Sequence, residues 1–333
     1  MKIEALFQSF AAKKVLVVGD VMIDSYIKGS VTRVSPEAPV PIVNLSLKES
    51  RLGGAANVAL NLVALGAETF IASVVGNDKD GSEMIQLFEE EAINCSPIVR
   101  SESRKTTVKT RVLGNNQQLL RIDSEQTDNI TSQEEDQLVQ LIEVLVLENK
   151  IDAIIFEDYN KGVLTEKVIE KVIAIAKANH IITTVDPKKT NFFVYKGVTL
   201  FKPNLKELKE GLNRQFDIRH DLESFEKSVE LLTERLHNQI SLVTLSEFGV
   251  FIKDADQKHY LPAHVRNIAD VSGAGDTVIS VATLCLTAGI ALENVAQISN
   301  ISGGLVCEEV GVVSIDKEKL QKEIIKIIGK EIR

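Results

Sequence analysis

The stretch from Asp270 to Thr277 (DVSGAGDT) places a carboxylate directly behind a glycine-rich turn. The residues that follow, Val278 to Leu286, are almost all apolar, so they predict a buried helix that begins at this turn. The first turn of a helix offers free N–H groups and the positive end of the helix dipole, and glycines let a ligand come close. Asp276 could therefore take a proton from an attacking hydroxyl group while the amides of residues 273–276 stabilise a transferred phosphoryl group.

A structural alternative accounts for the same pattern. Aspartate is favoured in the first turn of any helix because of the dipole, and glycine is common in loops. Spacing alone leaves the two alternatives open. Two other phosphate-binding motifs are excluded, because the chain has no GxxxxGK[ST] pattern and Gly273-Ala274-Gly275 lacks the third glycine of a dinucleotide-binding turn.

Length and composition limit the class of protein. With 333 residues, 44% apolar and 26% charged, the chain can form one large α/β domain or two small ones. The net charge of −9 argues against nonspecific binding to nucleic acid or to an anionic membrane, but it permits a local basic pocket for a phosphorylated substrate. The cysteines are far apart and odd in number, which fits a reducing compartment.

No segment is predicted to target or to cross a membrane. Residues 1–14 lack the apolar core of a signal peptide, so we expect a cytoplasmic protein. The longest mostly apolar run, Val278 to Leu292, is shorter than the ~20 residues that a transmembrane helix needs. We interpret this run as one core helix.

Apolar strands alternate with helices through most of the chain, which predicts an α/β fold with a central, mostly parallel sheet and helices on both faces. Ligands bind such sheets at the carboxyl ends of the strands, where Glu157-Asp158, Asp186 and Thr244 are expected. Because no linker interrupts the pattern, we expect a single domain over residues 1–333.

Two further segments, at about residues 26–48 and 105–123, are predicted to form a small β lid beside this domain. The second segment carries four basic residues: Lys105, Lys109, Arg111 and Arg121. Charged side chains can simply protect an exposed edge strand. Four of them on one hairpin of an acidic protein favour the other interpretation, a lid that faces an anion.

Two motifs allow both a structural and a functional interpretation. Gly53-Gly54 opens a helix of small residues in which Asn57 is polar, and we favour a substrate contact over a buried structural role for Asn57. Asn204 and Glu207 have the spacing of a helix-capping box, the interpretation that spacing alone favours. Their oxygens could instead organise Mg²⁺ around the phosphates of a nucleotide.

Taken together, the order and spacing of these motifs resemble the ribokinase-like (PfkB) sugar kinase family. The motifs are GGAAN at 53–57, NLKE at 204–207 and DVSGAGDT at 270–277. Within this family, other stretches resemble the kinases that phosphorylate D-glycero-β-D-manno-heptose 7-phosphate at C1, on the route to ADP-heptose and the lipopolysaccharide core. These stretches are GDVMID at 19–24, TRVSPEAPVP at 32–41, KTRVL at 109–113, NQQLLR at 116–121 and DYNKG at 158–162.

The resemblance covers about residues 10–315 and implies a ribokinase-like fold, ATP and Mg²⁺ as cofactors, and a sugar phosphate as substrate. It also implies roles for individual residues. Asp276 would be the general base that deprotonates the anomeric hydroxyl, and Gly273, Ala274 and Gly275 would form the anion hole. The implied nucleotide-binding residues are Asn204, Leu205, Lys206, Glu207, Thr244, Ser246, Gly249, Asn300 and Gly304. Among these, Asn204 and Glu207 match the motif that organises Mg²⁺, which makes the cap interpretation weaker.

The remaining implied positions concern the sugar and a second ion. Sugar-contacting positions are Asp24, Gly54, Asn57 and Asp158, and our choices for the 7-phosphate are Arg33, Lys109, Arg111, Arg121 and Lys161. Several family members bind a monovalent cation such as K⁺ near the positions of Asp270 and Ser272. The close relatives usually have Thr at position 272 and often Ser at position 157, where this chain has Glu157.

The resemblance implies a homodimer that assembles through the β lid, because lids in this family often pair sheet to sheet. It also implies a stand-alone kinase, since the chain lacks the HxGH-type motif of the nucleotidyltransferase domain to which such kinases are often fused. Two alternatives stay open: a kinase for another sugar phosphate, sugar or nucleoside, and a non-catalytic sensing module of the same fold. A pure sensor has no need of a base such as Asp276.

Overall fold

The computed structural model describes residues 1–332. Its strands are β1 (Lys14–Gly19), β2 (Val21–Val34), β3 (Pro41–Gly54), β4 (Glu68–Gly76), β5 (Ile98–Ser101), β6 (Val108–Gly114), β7 (Gln117–Ser124), β8 (Ala153–Glu157), β9 (Ile182–Asp186), β10 (Leu200–Phe201), β11 (Ile240–Thr244), β12 (Val250–Lys253) and β13 (Lys258–Leu261). Its α-helices are α1 (Ile3–Phe10), α2 (Ala55–Leu65), α3 (Lys79–Glu90), α4 (Ser132–Glu148), α5 (Glu166–Ala178), α6 (Leu205–Leu212), α7 (Leu222–Leu236), α8 (Ala274–Thr287), α9 (Leu292–Val306) and α10 (Lys317–Ile327).

A nine-stranded sheet forms the centre, in the order β13-β12-β11-β10-β9-β8-β1-β4-β5. The strands from β11 to β5 are parallel, and β12 and β13 extend one edge in antiparallel pairing. Central strands such as β1 and β8 are buried almost throughout, as strands covered on both faces must be. The predicted architecture, a mostly parallel sheet with helices on both faces, is confirmed.

Two apolar cores lie on opposite faces of the sheet. One contains α1, α2, α8, α9 and α10, and the other contains α4, α5, α6 and α7. Because side chains alternate along a strand, Ile155 of β8 lies in the first core, whereas Ile154 and Phe156 lie in the second. The same alternation directs Glu157 to the α8 side of the sheet and the next residue, Asp158, to the other side.

A second sheet has four strands in the order β3-β2-β6-β7. It contains the two segments predicted as a lid. The first of them is longer than the predicted residues 26–48, because β2 already begins at Val21 and β3 continues to Gly54. The β6–β7 hairpin turns at Asn115 and Asn116, whose φ angles of 52° and 65° are those of a tight two-residue turn.

The apolar run Val278 to Leu292 is not one helix, so that prediction was wrong. Helix α8 ends at Thr287, Gly289 turns the chain with a φ of 69°, and α9 begins at Leu292. Gly289 permits the left-handed conformation that ends the helix. Within residues 1–332, no helix combines the length and the apolar character that a membrane span requires.

Candidate active site

Three carboxylates meet where the central sheet faces the first turn of α8. Glu157 ends β8, Asp186 ends the neighbouring β9, and the two residues are paired in register. Asp276 of α8 lies opposite them, and one oxygen from each of the three carboxylates lies within 4.8 Å of the others. All three residues are buried. The parallel register and the start of α8 therefore build the floor of a cleft from side chains that are far apart in sequence.

Two donors hold the Asp276 carboxylate. The Asn57 amide donates to Oδ2 at 2.6 Å, and the Tyr159 hydroxyl donates to Oδ1 at 3.1 Å. Burial raises the pKa of Asp276 to about 6; the Asn57 hydrogen bond opposes this rise, and the Asp186 charge adds to it. A carboxylate with this pKa is ionised near neutral pH but accepts a proton more readily than an exposed aspartate.

Two lysines neutralise part of this acidic floor. Lys202 Nζ lies 2.7 Å from Asp186, and Lys188 Nζ lies 3.6 Å from Asp186 and 2.8 Å from Glu207. Burial alone would raise the pKa of Asp186, but the Lys202 and Lys188 charges outweigh it and lower that pKa. The row of alternating charges ties the end of β9 to the start of α6.

The turn before α8 has some, but not all, of the features of an anion-binding site. Gly273 has a φ of 79°, a conformation that favours glycine. The N–H of Ala274 donates to the Val271 carbonyl at 3.3 Å, so this amide of the predicted anion hole is engaged. The next two amides, of Gly275 and Asp276, belong to the first turn, where N–H groups have no acceptor within the helix. A Cβ at position 275 would lie 3.4 Å from Asp186 Oδ2, an ordinary contact distance, so Gly275 lies directly beside the acidic floor.

Asn204 and Glu207 form the capping box of α6, the interpretation that spacing favoured. Asn204 Oδ1 accepts the Glu207 N–H and Glu207 Oε2 accepts the Asn204 N–H, each at 2.8 Å. Glu207 Oε1 also accepts from Lys188, so the cap is tied to the acidic floor. The two residues between them do not join this group: Leu205 packs against the second core, and the Lys206 side chain is 82% exposed.

The other predicted nucleotide-binding residues are spread along one edge of the sheet. Thr244 ends β11 beside Asn204, and Ser246 follows it on an exposed turn. Gly249 is buried, and a side chain there would collide with the Leu261 carbonyl, so its close approach to β13 accounts for a glycine at this position. Its place beside a nucleotide stays a prediction.

Asn300 and Gly304 lie on one side of α9. The Asn300 side chain donates to the Pro262 carbonyl at 2.8 Å and thereby anchors the loop that leads to α8. Gly304 is covered by Arg266, whose guanidinium pairs with Glu308 and Glu323. The structure thus does not leave Gly304 free for a nucleotide base, because this ion-pair cluster occupies the space above it.

The predicted cation position lies in the loop before α8. Asp270 accepts hydrogen bonds from the N–H groups of Ser272 at 2.9 Å and Gly311 at 3.2 Å. The Ser272 hydrogen bond is the main cause that lowers the pKa of Asp270. The loop therefore holds an ionised carboxylate near the N-terminal end of α8.

Asp24 of β2 and the two basic residues Lys109 and Arg111 of β6 have their side chains on one face of the lid. Asp24 of β2 pairs with Arg111 of β6, and Lys109 lies 3.0 Å from Glu125. Glu125 in turn lies 2.7 Å from Lys161, which belongs to the loop after β8. These contacts bring four of the predicted substrate residues together: Asp24, Lys109, Arg111 and Lys161.

Other predicted substrate residues lie in different surroundings. Arg121 is half exposed and pairs with Asp123. Arg33 is exposed at the far end of β2, roughly 30 Å from Asp24 at about 3.3 Å per residue, so it does not reach the cleft of its own chain. Gly54 adopts a φ of 62° at the start of α2, where a side chain would meet Met22.

Asp158 is not a cleft residue, and its assignment as a sugar contact is corrected. It is fully buried on the far side of the sheet, where its carboxylate accepts from Tyr195 at 2.9 Å and from Asn191 at 3.2 Å. A nearby buried carboxylate, Asp20, accepts three backbone N–H groups from residues 159–163. Both aspartates therefore order the loop that presents Tyr159.

Three residues of the floor were missed by sequence reasoning: Tyr159, Lys188 and Lys202. Tyr159 lies within the DYNKG motif, and Lys202 lies two residues before Asn204. Their closeness to these motifs could have marked both as site residues. Lys188 follows Asp186 and had no signal beyond its place at a strand end.

This chain is similar to known proteins over nearly its whole length. A model of the pfkB family of carbohydrate kinases matches residues 12–319. Bifunctional protein HldE of Geobacter sulfurreducens is 38% identical over 320 residues, which are 96% of this chain and 64% of that protein. The protein of the same name from Sulfurimonas denitrificans is 37% identical over 95% of this chain and 65% of its own length. The chain thus spans less than two thirds of these relatives.

Solved structures share the fold. Phosphofructokinase-2 from Escherichia coli in complex with fructose-6-phosphate superimposes with a TM-score of 0.73 at 20% identity, over 93% of this chain and 98% of that one. Arabidopsis thaliana ribokinase complexed with ribose and ATP gives a TM-score of 0.70 at 14% identity, over 93% and 99%. The expected ribokinase-like fold is confirmed.

Proposed function

This chain belongs to the pfkB family of carbohydrate kinases, and we propose that its substrate is D-glycero-β-D-manno-heptose 7-phosphate, phosphorylated at the C1 hydroxyl. As a family member it is a phosphotransferase that acts on a sugar hydroxyl, and ATP is the expected donor. The choice of sugar is supported by the motifs at 19–24 and 158–162 and by the similarity to the HldE proteins. The product would be the 1,7-bisphosphate.

The observation that carries the proposal is the position of Asp276. It lies in the first turn of α8, held by Asn57 and Tyr159, where an approaching sugar hydroxyl can give up its proton. The N–H groups of Gly275 and Asp276 stabilise charge on the transferred phosphoryl group from the same turn. Phosphoryl transfer needs little covalent help, so positioning and charge neutralisation supply most of the rate increase.

The residues present fit the ions that the family implies. Asn204 and Glu207 offer the oxygen donors that Mg²⁺ prefers; since both also cap α6, they would hold the ion through its waters. Bound with ATP, Mg²⁺ neutralises charge on the phosphates. The ionised Asp270 and the neighbouring Ser272 suit a monovalent cation such as K⁺, which predicts lower turnover when K⁺ is replaced by a bulky organic cation.

The 7-phosphate is proposed to bind between lid and floor. Lys109 and Lys161 both contact the same carboxylate, Glu125, at 3.0 and 2.7 Å. A phosphate dianion could replace Glu125 as their shared partner, because ammonium groups bind phosphate and carboxylate oxygens in the same way. Arg111, beside Asp24 on the same face, would contribute a further positive charge.

The opposite face of the lid supports a homodimer through this sheet. Leu120 and Ile122 of β7 and Leu45 of β3 are 54%, 51% and 64% exposed, on the face of the lid opposite to Lys109 and Arg111. Exposed apolar side chains clustered on one sheet face are typical of an interface. Light scattering at micromolar concentration should give a dimer mass, and Leu120→Lys should give a monomer.

The proposed activity is tested by ADP release from the purified protein with MgATP. Four acceptors are compared: D-glycero-β-D-manno-heptose 7-phosphate, fructose 6-phosphate, ribose and adenosine. Selective turnover of the heptose phosphate is the expected result. Turnover of another acceptor would keep Asp276 as the base and overturn the choice of sugar, whereas no turnover with any acceptor would favour a sugar outside this set or a sensing module.

A further inference from the structure

The loop that follows β8, residues 158–163, directs three of its backbone N–H groups towards one point. Asn160 and Gly162 have positive φ angles of 53° and 87°, and they alternate with the residues whose N–H groups converge. Backbone N–H groups that converge in a turn form a concave site for an anion. In this loop the anion is the carboxylate of Asp20, which directly follows β1 and is 1% exposed.

Both carboxylate oxygens of Asp20 accept hydrogen bonds from the loop. Oδ2 accepts the N–H groups of Tyr159 and Lys161 at 2.9 and 3.1 Å, and Oδ1 accepts that of Val163 at 3.1 Å. Burial raises the pKa of Asp20 to about 6; the Asp158 charge adds to this rise, and the three N–H groups oppose it. The carboxylate is therefore ionised at neutral pH, and hydrogen bonds to an ionised acceptor are about twice as strong as neutral ones.

Arg104 holds the same loop through a carbonyl group. Its Nη2 donates to the Lys161 carbonyl at 2.5 Å and to the Gln126 carbonyl at 3.4 Å. Gln126 directly follows Glu125, the carboxylate that lies 2.7 Å from Lys161 Nζ. The backbone of Lys161 is thus held at both of its polar groups, at the N–H by Asp20 and at the carbonyl by Arg104.

The side chains that extend from this loop reach two different parts of the site. The Tyr159 hydroxyl donates to Asp276 Oδ1 at 3.1 Å, whereas the Lys161 side chain contacts Glu125 beside the lid. We propose that Asp20 is a positioning residue for the reaction, because it places Tyr159 at the base and Lys161 at the phosphate site. Since it takes Asp276 as the base and Lys161 as a phosphate ligand, this role rests on the proposed function.

Hydrogen–deuterium exchange of the full chain, without nucleotide or sugar, tests how Asp20 holds the loop. Asp20→Asn replaces one of the two acceptor oxygens with a donor, so the N–H groups of residues 159–163 should exchange about tenfold faster or more. Residues 153–157 of β8 belong to the central sheet and should exchange as in the wild type. Equal exchange of residues 159–163 in both proteins would overturn the proposal, whichever sugar the protein phosphorylates.

Steady-state kinetics test the positioning role with the sugar phosphate that the wild type phosphorylates. Asp20→Asn should raise the KM for this acceptor by about tenfold, because Lys161 loses its position, and should leave the KM for ATP unchanged. The acidic limb of kcat/KM should move to higher pH, because the Tyr159 hydroxyl no longer stabilises the ionised Asp276. Adding Lys161→Ala to Asp20→Asn should raise the acceptor KM no further, since both changes remove the same interaction.

Asp152 provides the matched control. Its carboxylate accepts the Lys14 N–H at 2.9 Å at the opposite end of β1, away from the cleft, so Asp152→Asn should keep the wild-type values of both KM and exchange in residues 159–163. Arg104→Gln is the second variant if Asp20→Asn does not fold. It removes the other contact that holds the Lys161 backbone, so it should raise the acceptor KM and the exchange rate of the loop in the same direction.

Two kinetic outcomes would overturn the positioning role even if the loop exchanges faster. An unchanged acceptor KM together with an unchanged acidic limb in Asp20→Asn would make Asp20 a purely structural residue. Additive effects of Asp20→Asn and Lys161→Ala on the acceptor KM would show that Asp20 does not act through Lys161.

Discussion

The floor of the cleft and the lid above it hold their carboxylates in opposite ways. On the floor, Asp276 is buried beside two other acids and receives two neutral donors, and burial raises its pKa to about 6. On the lid, Glu125 lies between Lys161 and Lys109. Burial there would also raise the pKa, but the two lysines outweigh it and the pKa of Glu125 is lowered.

This difference separates two tasks. A carboxylate with a raised pKa is suited to accept a proton, and the packed ends of β8, β9 and α8 fix its position. Carboxylates paired with lysines at a partly open surface can exchange one anion for another at little cost. The floor therefore suits chemistry, which pH controls, and the lid suits recognition of a charged substrate, which salt weakens.

The largest expected effect lies on the floor. Asp276→Asn removes the proton acceptor but keeps the side-chain size, so turnover should fall by ~10²–10⁴-fold, the range for a lost acid–base group. Nucleotide binding should stay close to that of the wild type, because Asp276 does not hold the nucleotide in the proposed mechanism. ADP release and nucleotide titration measure the two effects. Near-normal turnover would remove Asp276 as the base; Asp136→Asn, at an exposed acid on α4, controls for a general change in charge.

An intermediate effect is expected where floor and lid meet. Lys109→Ala and Lys161→Ala should each raise the KM for the sugar phosphate by about tenfold, the cost of one hydrogen bond to a charged group, and leave the KM for ATP unchanged. Lys105→Ala is the matched control, because Lys105 lies on the same hairpin segment but is exposed before β6. A change in the KM for ATP, or an equal effect of Lys105→Ala, would contradict the assignment of the phosphate site.

The same comparison explains how far the sequence predicts the site. Strand ends are predictable because apolar runs mark β8 and β9, so Glu157 and Asp186 were expected at the ligand-binding edge. The start of α8 was predicted from its glycines and its apolar continuation. Which face each side chain takes was harder to foresee: Asp158 follows Glu157 by one residue, yet the alternation of a strand turns it away from the cleft.

Contacts between distant segments set the limit of such prediction. The pairing of Lys202 with Asp186 depends on a two-residue strand, β10, that brings both to the same edge. The cover that Arg266 forms over Gly304 depends on acids from two other segments. A motif indicates that a glycine or an asparagine matters, but only the packed chain decides whether a ligand or another side chain fills the space beside it.

The smallest expected effect is a shift in the pH dependence of kcat/KM. Asp276 must be ionised to accept a proton, so kcat/KM should fall as the pH falls through about 6. The Tyr159 hydroxyl donates to Asp276 Oδ1 at 3.1 Å and stabilises the ionised carboxylate, so Tyr159→Phe should raise the pKa of Asp276. The acidic limb of the profile of kcat/KM against pH should then move to higher pH by up to about one unit. Activity at pH 8 should change little.

The matched control for this experiment is Tyr260→Phe. The Tyr260 hydroxyl also donates to a carboxylate at 3.1 Å, that of Glu226, but at the surface of β13 and away from the cleft. Its variant should keep the wild-type profile of kcat/KM against pH. An unchanged limb in Tyr159→Phe would mean that Asp276 is not the group that titrates in the reaction, and the raised pKa of the floor would then have no part in the chemistry.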